Sequence, residues 1–517
     1  MRQHALYWWI PLILLSVFAY FIQAHLYLHK DVAIIIHTAA TMLAGETYTK
    51  DIFEPNPPMI FYLSMPAIIL AKTLSISIPS AIRIYFIIFA FFSLNLSYFL
   101  IKKIVEKNTL LLYLLSYVTA YVLLFLPAQQ FAQREHFLLT LILPYLFAAA
   151  LRLENQHLNP VLAVIIGIMA GIGFSIKPHF FPALALVEIY FIYHKRHFFG
   201  WIRVETLCIA SVFSTYIAAI FLFYPTYLSN VLPLWMPYYS AVAHPILDVL
   251  LHPGLLYCMT VIIAYFMARR VNQYKMISHV FLLALSGFIC SYIVPRVTWY
   301  HHILPALGIA CLLATIIFEQ VIAQTLRKKN AILSLWGMAS IIYSVPLILS
   351  IHYWITAHCY FNADNDLSHL IRFFKQQRST SSFDLFSMTH DKTILEFYTP
   401  VRYIGSFPFF SWEYNQVILK HSPNEKAFDY EKKYIPYAMN IIARDLSVKK
   451  PTFIIVDIPS SMDYLGIEIN YIEKYSKYKA VKAAWKKYHF LIQIGQYQIY
   501  ELTENNLNTA NLPTCLK

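Results

Sequence analysis

The sequence predicts a polytopic α-helical membrane protein with a small α/β domain at its C-terminal end, and three observations predict it. Hydrophobic residues make up 59% of the 517 and charged residues only 13%, which leaves too little polar surface for a soluble chain of this size. Long apolar runs recur, among them 110–126, 161–174 and 281–294, near the roughly 20 residues that cross hydrocarbon at about 1.5 Å each. Charge is shared unevenly: residues 1–356 hold 11 of the 27 acidic and 21 of the 40 basic residues, and the more polar remainder holds 16 and 19. A membrane domain is therefore expected over 1–356 and an α/β domain over 357–517.

In chain order, spans are expected near 7–26, 81–101, 109–127, 137–151, 160–176, 180–194, 204–224, 254–268, 276–294, 303–323 and 331–352. Tyr7–Leu26 is apolar throughout and no small-residue cleavage pattern follows it, which predicts a retained first span. Short cytoplasmic loops carry the Lys/Arg excess. With the N-terminus cytoplasmic, these eleven spans place 14 of the 21 basic residues of the membrane domain inside. A twelfth span over Met59–Leu74 would reverse 13 of the 14, so 59–74 is expected to be a helix in the outer interface, with the tail outside. In the tail, Phe453–Asp457 reads as a buried strand. Phe490–Ile494 and Tyr497–Tyr500 read as a hairpin around Gly495-Gln496, and Tyr464–Lys479 reads as helix.

This topology gathers Asp31, Glu46, Asp51, Glu54, Arg134, Glu135, His136, Lys177, His179, Arg296, His301 and His302 at the outer ends of spans. Polar residues collect at membrane surfaces in any case, and an Arg or Lys there can anchor to lipid headgroups. Excess positive charge, however, belongs inside. Arg134, Lys177 and Arg296 beside outer span ends therefore require a local partner, and an anionic ligand is the simplest one.

The first outer loop, 27–58, places Asp31 directly after the first span. An amphipathic helix follows to Leu43, then Gly45, Asp51, Glu54 and Pro57-Pro58, leading into Met59-Ile60-Phe61-Tyr62-Leu63. Here the sequence resembles the bacterial membrane glycosyltransferases of GT-C fold, the group that holds protein O-mannosyltransferases and lipid A aminoarabinose transferases. Further matches are Gln133-Arg134-Glu135-His136, Ser175-Ile176-Lys177-Pro178-His179-Phe180 and Trp299-Tyr300-His301-His302, so the resemblance covers roughly 1–350. One departure stands out: where the group has Asp-Glu this chain has Asp31-Val32, so a second carboxylate would come from Asp51 or Glu54.

The resemblance implies transfer of a sugar from a polyprenyl-phosphate carrier to an acceptor on the outer surface, with inversion at the anomeric carbon. It also implies a bacterial inner membrane, a cytoplasmic N-terminus and a periplasmic C-terminal domain. Such chemistry needs a base at the acceptor hydroxyl and positive charge at the leaving phosphate. Asp31, with Asp51 and Glu54, suits the first. Arg134, Lys177, His179, Arg296, His301 and His302 suit the second. The alternative for Asp31 is that it merely caps a helix beginning at Val32.

No spacing demands a cofactor or metal. Asp51, Glu54, Glu135, His136, His301 and His302 could supply a divalent-ion site if the loops converge, Glu135 and His136 being the candidates retained. There is, however, no HExxH and no paired CxxC, and the neighbours His301 and His302 are expected to be poor co-ligands on a helix. Glu188 stands alone inside a span and is expected to be hydrogen-bonded in the bundle. Cys359 and Cys515 bracket the tail and could pair in an oxidising compartment. Membrane lipids, the lipid-linked donor and a glycan, lipid or protein acceptor are the expected partners; nothing points to nucleic acid. Two other functions fit a polytopic chain. A lipid-linked sugar flippase or transporter would carry more mid-membrane polar groups than Glu188 and paired repeats of span pattern. An O-antigen-type polymerase or ligase would carry a large loop between late spans, whereas 224–253 is modest.

Overall fold

Each of the eleven apolar stretches carries a helix in the computed structural model, which describes residues 2–106, 108–325, 332–421, 423 and 425–503. The helices run α1 (Arg2–Ala24), α2 (Lys30–Leu43), α3 (Met59–Leu74), α4 (Ile78–Val105), α5 (Thr109–Leu124), α6 (Arg134–Leu153), α7 (Pro160–Ile176) and α8 (Phe181–Lys195). There follow α9 (Val204–Phe223), α10 (Leu232–Ala241), α11 (Ile246–Leu250), α12 (Pro253–Ala268), α13 (Lys275–Ile293), α14 (Tyr300–Thr325) and α15 (Ile332–Asn362). The tail then places α16 (Asp366–Lys375), α17 (Leu395–Tyr398), α18 (Tyr414–His421), α19 (Glu425–Arg444), α20 (Tyr471–Tyr475) and α21 (Lys479–Trp485) among five strands. These are β1 (Ser382–Phe386), β2 (Arg402–Tyr403), β3 (Phe453–Asp457), β4 (Tyr488–Ile494) and β5 (Tyr497–Leu502).

Among the described residues, five helices are long and apolar enough to cross a membrane: α4, α6, α9, α13 and, over Tyr300–Ile322, α14. The pair α7 and α8, bent by 114°, makes a sixth if taken as one broken span. Trp8–Ala24, α3, α5 and α12 are apolar but shorter. At 16 residues each, α3, α5 and α12 rise only about 24 Å against a core of about 30 Å.

The chain forms two compact units. The first comprises Met1–Tyr27, Pro57–Leu222 and Ala243–His358, and the second Leu28–Asn56, Phe223–Val242 and Cys359–Lys517. In the first unit α6 and α14 form the centre: 94% of each span window is buried, against 17% in α9. Two close helix approaches rest on glycine. A Cβ at Gly287 of α13 would lie 2.4 Å from Ala183 Cα of α8, and one at Gly167 of α7 would lie 2.7 Å from the Glu205 carbonyl oxygen of α9.

The second unit is built on a sheet of order β2-β1-β3-β5-β4, with β1 parallel to both β2 and β3, and β5 antiparallel to β3 and β4. The expected strand over 453–457 is β3, buried at every position, and the expected hairpin is β4–β5, turning at Gly495 with φ 53°. The helix expected over 464–479 does not form as one element. A 3-10 turn ends at Leu465, Gly466 follows in the left-handed region at φ 70°, and α20 starts only at Tyr471. The first outer loop belongs to this unit: Phe53 donates its backbone N–H to Ser406 O (2.9 Å), while Trp235 Nε1 donates to Phe53 O (3.2 Å) and Tyr227 OH to Pro55 O (2.7 Å). Cys515, and with it the expected Cys359–Cys515 bond, lies outside the described residues.

Candidate functional site

The sequence candidates divide between the two units. In the first unit, Pro178 forces its predecessor out of helical geometry, so Lys177 ends α7 at φ −140°, ψ 96°. Its ammonium donates to Glu135 Oε1, in the first turn of α6, and lies 3.4 Å from His302 Nε2, in the first turn of α14. His302 Nε2 is 3.7 Å from the same Glu135 oxygen. The His302 ring lies 4.7 Å from that of His301 and 5.9 Å from that of His179, and Trp299 packs edge-on against it. Glu135 is fully buried, and Arg134 beside it is 8% exposed.

The first unit thus gathers Arg134, Glu135, Lys177, His179, His301 and His302. Two permanent cations, Arg134 and Lys177, lie with the Glu135 carboxylate in a mostly buried place. Glu135 Oε2 and His302 Nδ1 are buried with no hydrogen-bond partner among the described residues. Two other candidates stand apart. His136 has both ring nitrogens committed to backbone, Nδ1 accepting from Ala132 N–H (3.1 Å) and Nε2 donating to Leu123 O (2.8 Å). Arg296 is exposed, at φ 52°, and its side chain makes no hydrogen bond or ion pair among the described residues.

Glu135, His301 and His302 each offer one ligand atom, all within 4.8 Å of one another, so adjacency in sequence does not keep the two histidines from sharing a centre. Two imidazoles and a carboxylate fit zinc or a similar divalent ion. Lys177 weighs against it, since its ammonium already supplies positive charge to the Glu135 oxygen that a metal would take. An ion would enter only with that side chain turned away. Glu188 is indeed partnered in the bundle: Tyr145 OH donates to it, and Arg203 Nη2 reaches the same oxygen at 2.7 Å.

In the second unit, His29 caps α2, its Nδ1 accepting from Asp31 N–H at 3.2 Å. Asp31 is therefore not the cap; it sits in the first turn, and its Oδ1 accepts from His390 Nε2 at 2.6 Å. Asp51 Oδ2 accepts from Thr47 N–H (3.0 Å), and its Oδ1 lies 3.4 Å from Arg444 Nη1. Glu54, 3% exposed, binds Asn56 twice, accepting its backbone N–H at 2.8 Å and its side-chain amide. These local bonds tie Asp51 and Glu54 into the loop's own turns. His390 was not legible beforehand: a histidine in His390-Asp391-Lys392 has no motif, and only the fold brings it to a loop 359 residues earlier.

Nothing matches the sequence among family models or curated proteins. Among solved structures, the chain is similar to ArnT from Cupriavidus metallidurans bound to undecaprenyl phosphate, with TM-score 0.56 and 9% identity over 95% of this chain and 97% of that one. It is likewise similar to the apo state of that protein, with TM-score 0.57 and 10% identity over 97% and 99%. A likeness that spans both chains almost end to end at this identity is one of fold: this is a GT-C-like polytopic helical architecture with a small C-terminal domain.

Proposed function

We propose that this protein is an inverting glycosyltransferase that moves a sugar from a polyprenyl-phosphate carrier to an acceptor on the extracytoplasmic side of a bacterial inner membrane. The observation that carries the reading is the mostly buried group of Arg134, Lys177, His301 and His302 gathered with the Glu135 carboxylate at the ends of three helices. Arg and Lys together with histidine donors are groups that hold a phosphate through charge-assisted hydrogen bonds. The fold supports the choice of phosphate, since a protein of the same architecture has been crystallised with undecaprenyl phosphate.

In the proposed reaction the acceptor hydroxyl oxygen bonds to the anomeric carbon as the carbon–oxygen bond to phosphate breaks. The bonding pair leaves with the polyprenyl phosphate, and the hydroxyl proton passes to Asp31. Lys177 and Arg134 stabilise the charge growing on the leaving phosphate, with His179, His301 and His302 as neutral donors. Asp31 sits on the first turn of α2, so a helix rather than a loose loop sets its position.

The test is binding of undecaprenyl phosphate to the purified full chain, read by native mass spectrometry against uncharged undecaprenol. Wild type should retain the phosphate selectively, and Lys177→Ala and Arg134→Ala should each weaken it by at least roughly tenfold, the size of one charge-assisted bond. Equal retention of the two lipids would refute the assignment.

A further inference from the structure

Asp31 and His390 lie 359 residues apart in sequence, yet within the second unit their side chains, 16% and 12% exposed, meet at 2.6 Å. The histidine is held from several sides. Its carbonyl accepts from Thr393 Oγ1 at 2.7 Å, and its ring stacks on Phe409 with centroids 5.1 Å apart and planes 16° from parallel.

Two residues on, the buried Lys392 donates to Ser387 Oγ (2.8 Å) and Thr389 Oγ1 (2.7 Å), and lies 3.2 Å from both Asp391 and Asp457. Ser387 directly follows β1 and Asp457 ends β3, so the carboxyl ends of two paired parallel strands fix the turn that carries His390. A second pair with acid and base exchanged, His37 Nδ1 to Glu396 Oε2 at 2.7 Å, pins the same helix to the same segment six residues further along.

We infer that His390 is a positioning residue for the Asp31 carboxylate: its Nε2–H donates to Asp31 Oδ1, orients the carboxylate and keeps it ionised, so that the C-terminal domain completes the base supplied by the first outer loop. The catalytic half of this inference rests on the reading of Asp31 as base. Burial lowers the histidine's affinity for a proton, and the bond to Asp31 with its charge opposes that only in part. Among the other charged neighbours Lys30 lowers it further and Asp391 raises it, and the net result lies below the ordinary histidine range. The neutral ring meeting a carboxylate must carry its proton on Nε2.

The contact is tested without any donor, by labelling Asp31 in the purified full-length protein with a water-soluble carbodiimide, which modifies the protonated carboxyl, across a pH series read by mass spectrometry. His390→Ala should move the labelling midpoint of Asp31 up by about one pH unit, the scale of one hydrogen bond to a charged group. His390→Gln, whose amide N–H takes the place of Nε2–H, should restore most of it. His37→Ala, which removes the neighbouring pair, should leave the midpoint where it was. Identical midpoints in wild type and His390→Ala, or an equal shift in His37→Ala, would overturn the inference.

Turnover of a panel of undecaprenyl-phosphate sugars, read as release of undecaprenyl phosphate, tests the catalytic half. His390→Ala should lower kcat at least tenfold and move the acid limb of the pH–rate profile up with the labelling midpoint, KM for the lipid unchanged; an unmoved limb overturns the positioning role. Failure of the parent reading looks different: Asp31→Asn would then turn over like wild type, or no sugar in the panel would be released by any variant, while the labelling result still decides the contact.

Discussion

Asp31→Asn should leave the protein folded, since the amide oxygen can still accept from His390 Nε2, yet lower sugar transfer by at least roughly 100-fold, the low end of general-base effects. Wild-type turnover in that variant would remove Asp31 from the mechanism. A second prediction concerns Asp384, on β1, which is 5% exposed and interacts with Asp445. Burial, and then the neighbouring carboxylate, push its carboxyl up to about 8 from an ordinary 3.8. Ser406 gives Asp445 two bonds of 2.8 Å, and Arg444 and Lys449 lie 3.5 and 3.6 Å away, so the pair favours one proton, held on Asp384. The folded state then binds a proton the unfolded chain has lost. Stability should fall as pH rises from about 4 to about 8, with the cost complete above that window and absent below it. Thermal melting of the purified protein between pH 5 and pH 9 should show the decline, and Asp384→Asn, neutral throughout, should flatten it. The same slope in both proteins would place the proton elsewhere.

Helix α13 meets α8 at a point with no room for a methyl group, since a Cβ on Gly287 would fall 2.4 Å from Ala183 Cα and 2.5 Å from its nitrogen. Backbone cannot give way as a side chain can, so Gly287→Ala should separate the two helices and cost about 1–3 kcal/mol, visible as a lower melting temperature in detergent. An unchanged melt would mean the helices stand further apart.

At this scale much was legible in the sequence, for identifiable reasons. β3 is a buried run with no alternation to misread, and the β4–β5 turn carries Gly495 at the position that needs positive φ. Helices α6, α7 and α14 begin or end at polar residues that the pattern had singled out. Two things stayed hidden. Ser382–Phe386 carries a charged residue, Asp384, mid-strand, so its apolar pattern is broken although the strand is buried from Phe383 onward. The stretch 464–479 reads as one helix, yet Gly466 in the left-handed region and the Asn470 cap confine α20 to Tyr471–Tyr475. The partners of Asp31 and His37 could not be found by any spacing, because both are made across 359 residues by side chains with no motif.

Orientation in the membrane turns on α3. Its 16 residues match those of α5 and α12, so length does not separate it from the expected spans. The distribution of charge is what argues against a crossing. Lys102 and Lys103 occupy the last turn of α4, and Lys195 and Arg196 stand at the end of α8, both expected on the cytoplasmic side when α3 does not cross. A crossing α3 would turn every later segment over, placing these clusters outside and the C-terminal domain inside. Single cysteines in a cysteine-free background distinguish the two. Lys420→Cys should react with a membrane-impermeant maleimide applied to the outer face, whereas Glu106→Cys and Phe198→Cys should react only once the membrane is opened. All three positions are exposed, so burial does not limit the reaction. Labelling of Glu106→Cys from outside would mean that α3 spans, and the extracytoplasmic assignment of Asp31 and Lys177 to one face of the membrane would fall with it.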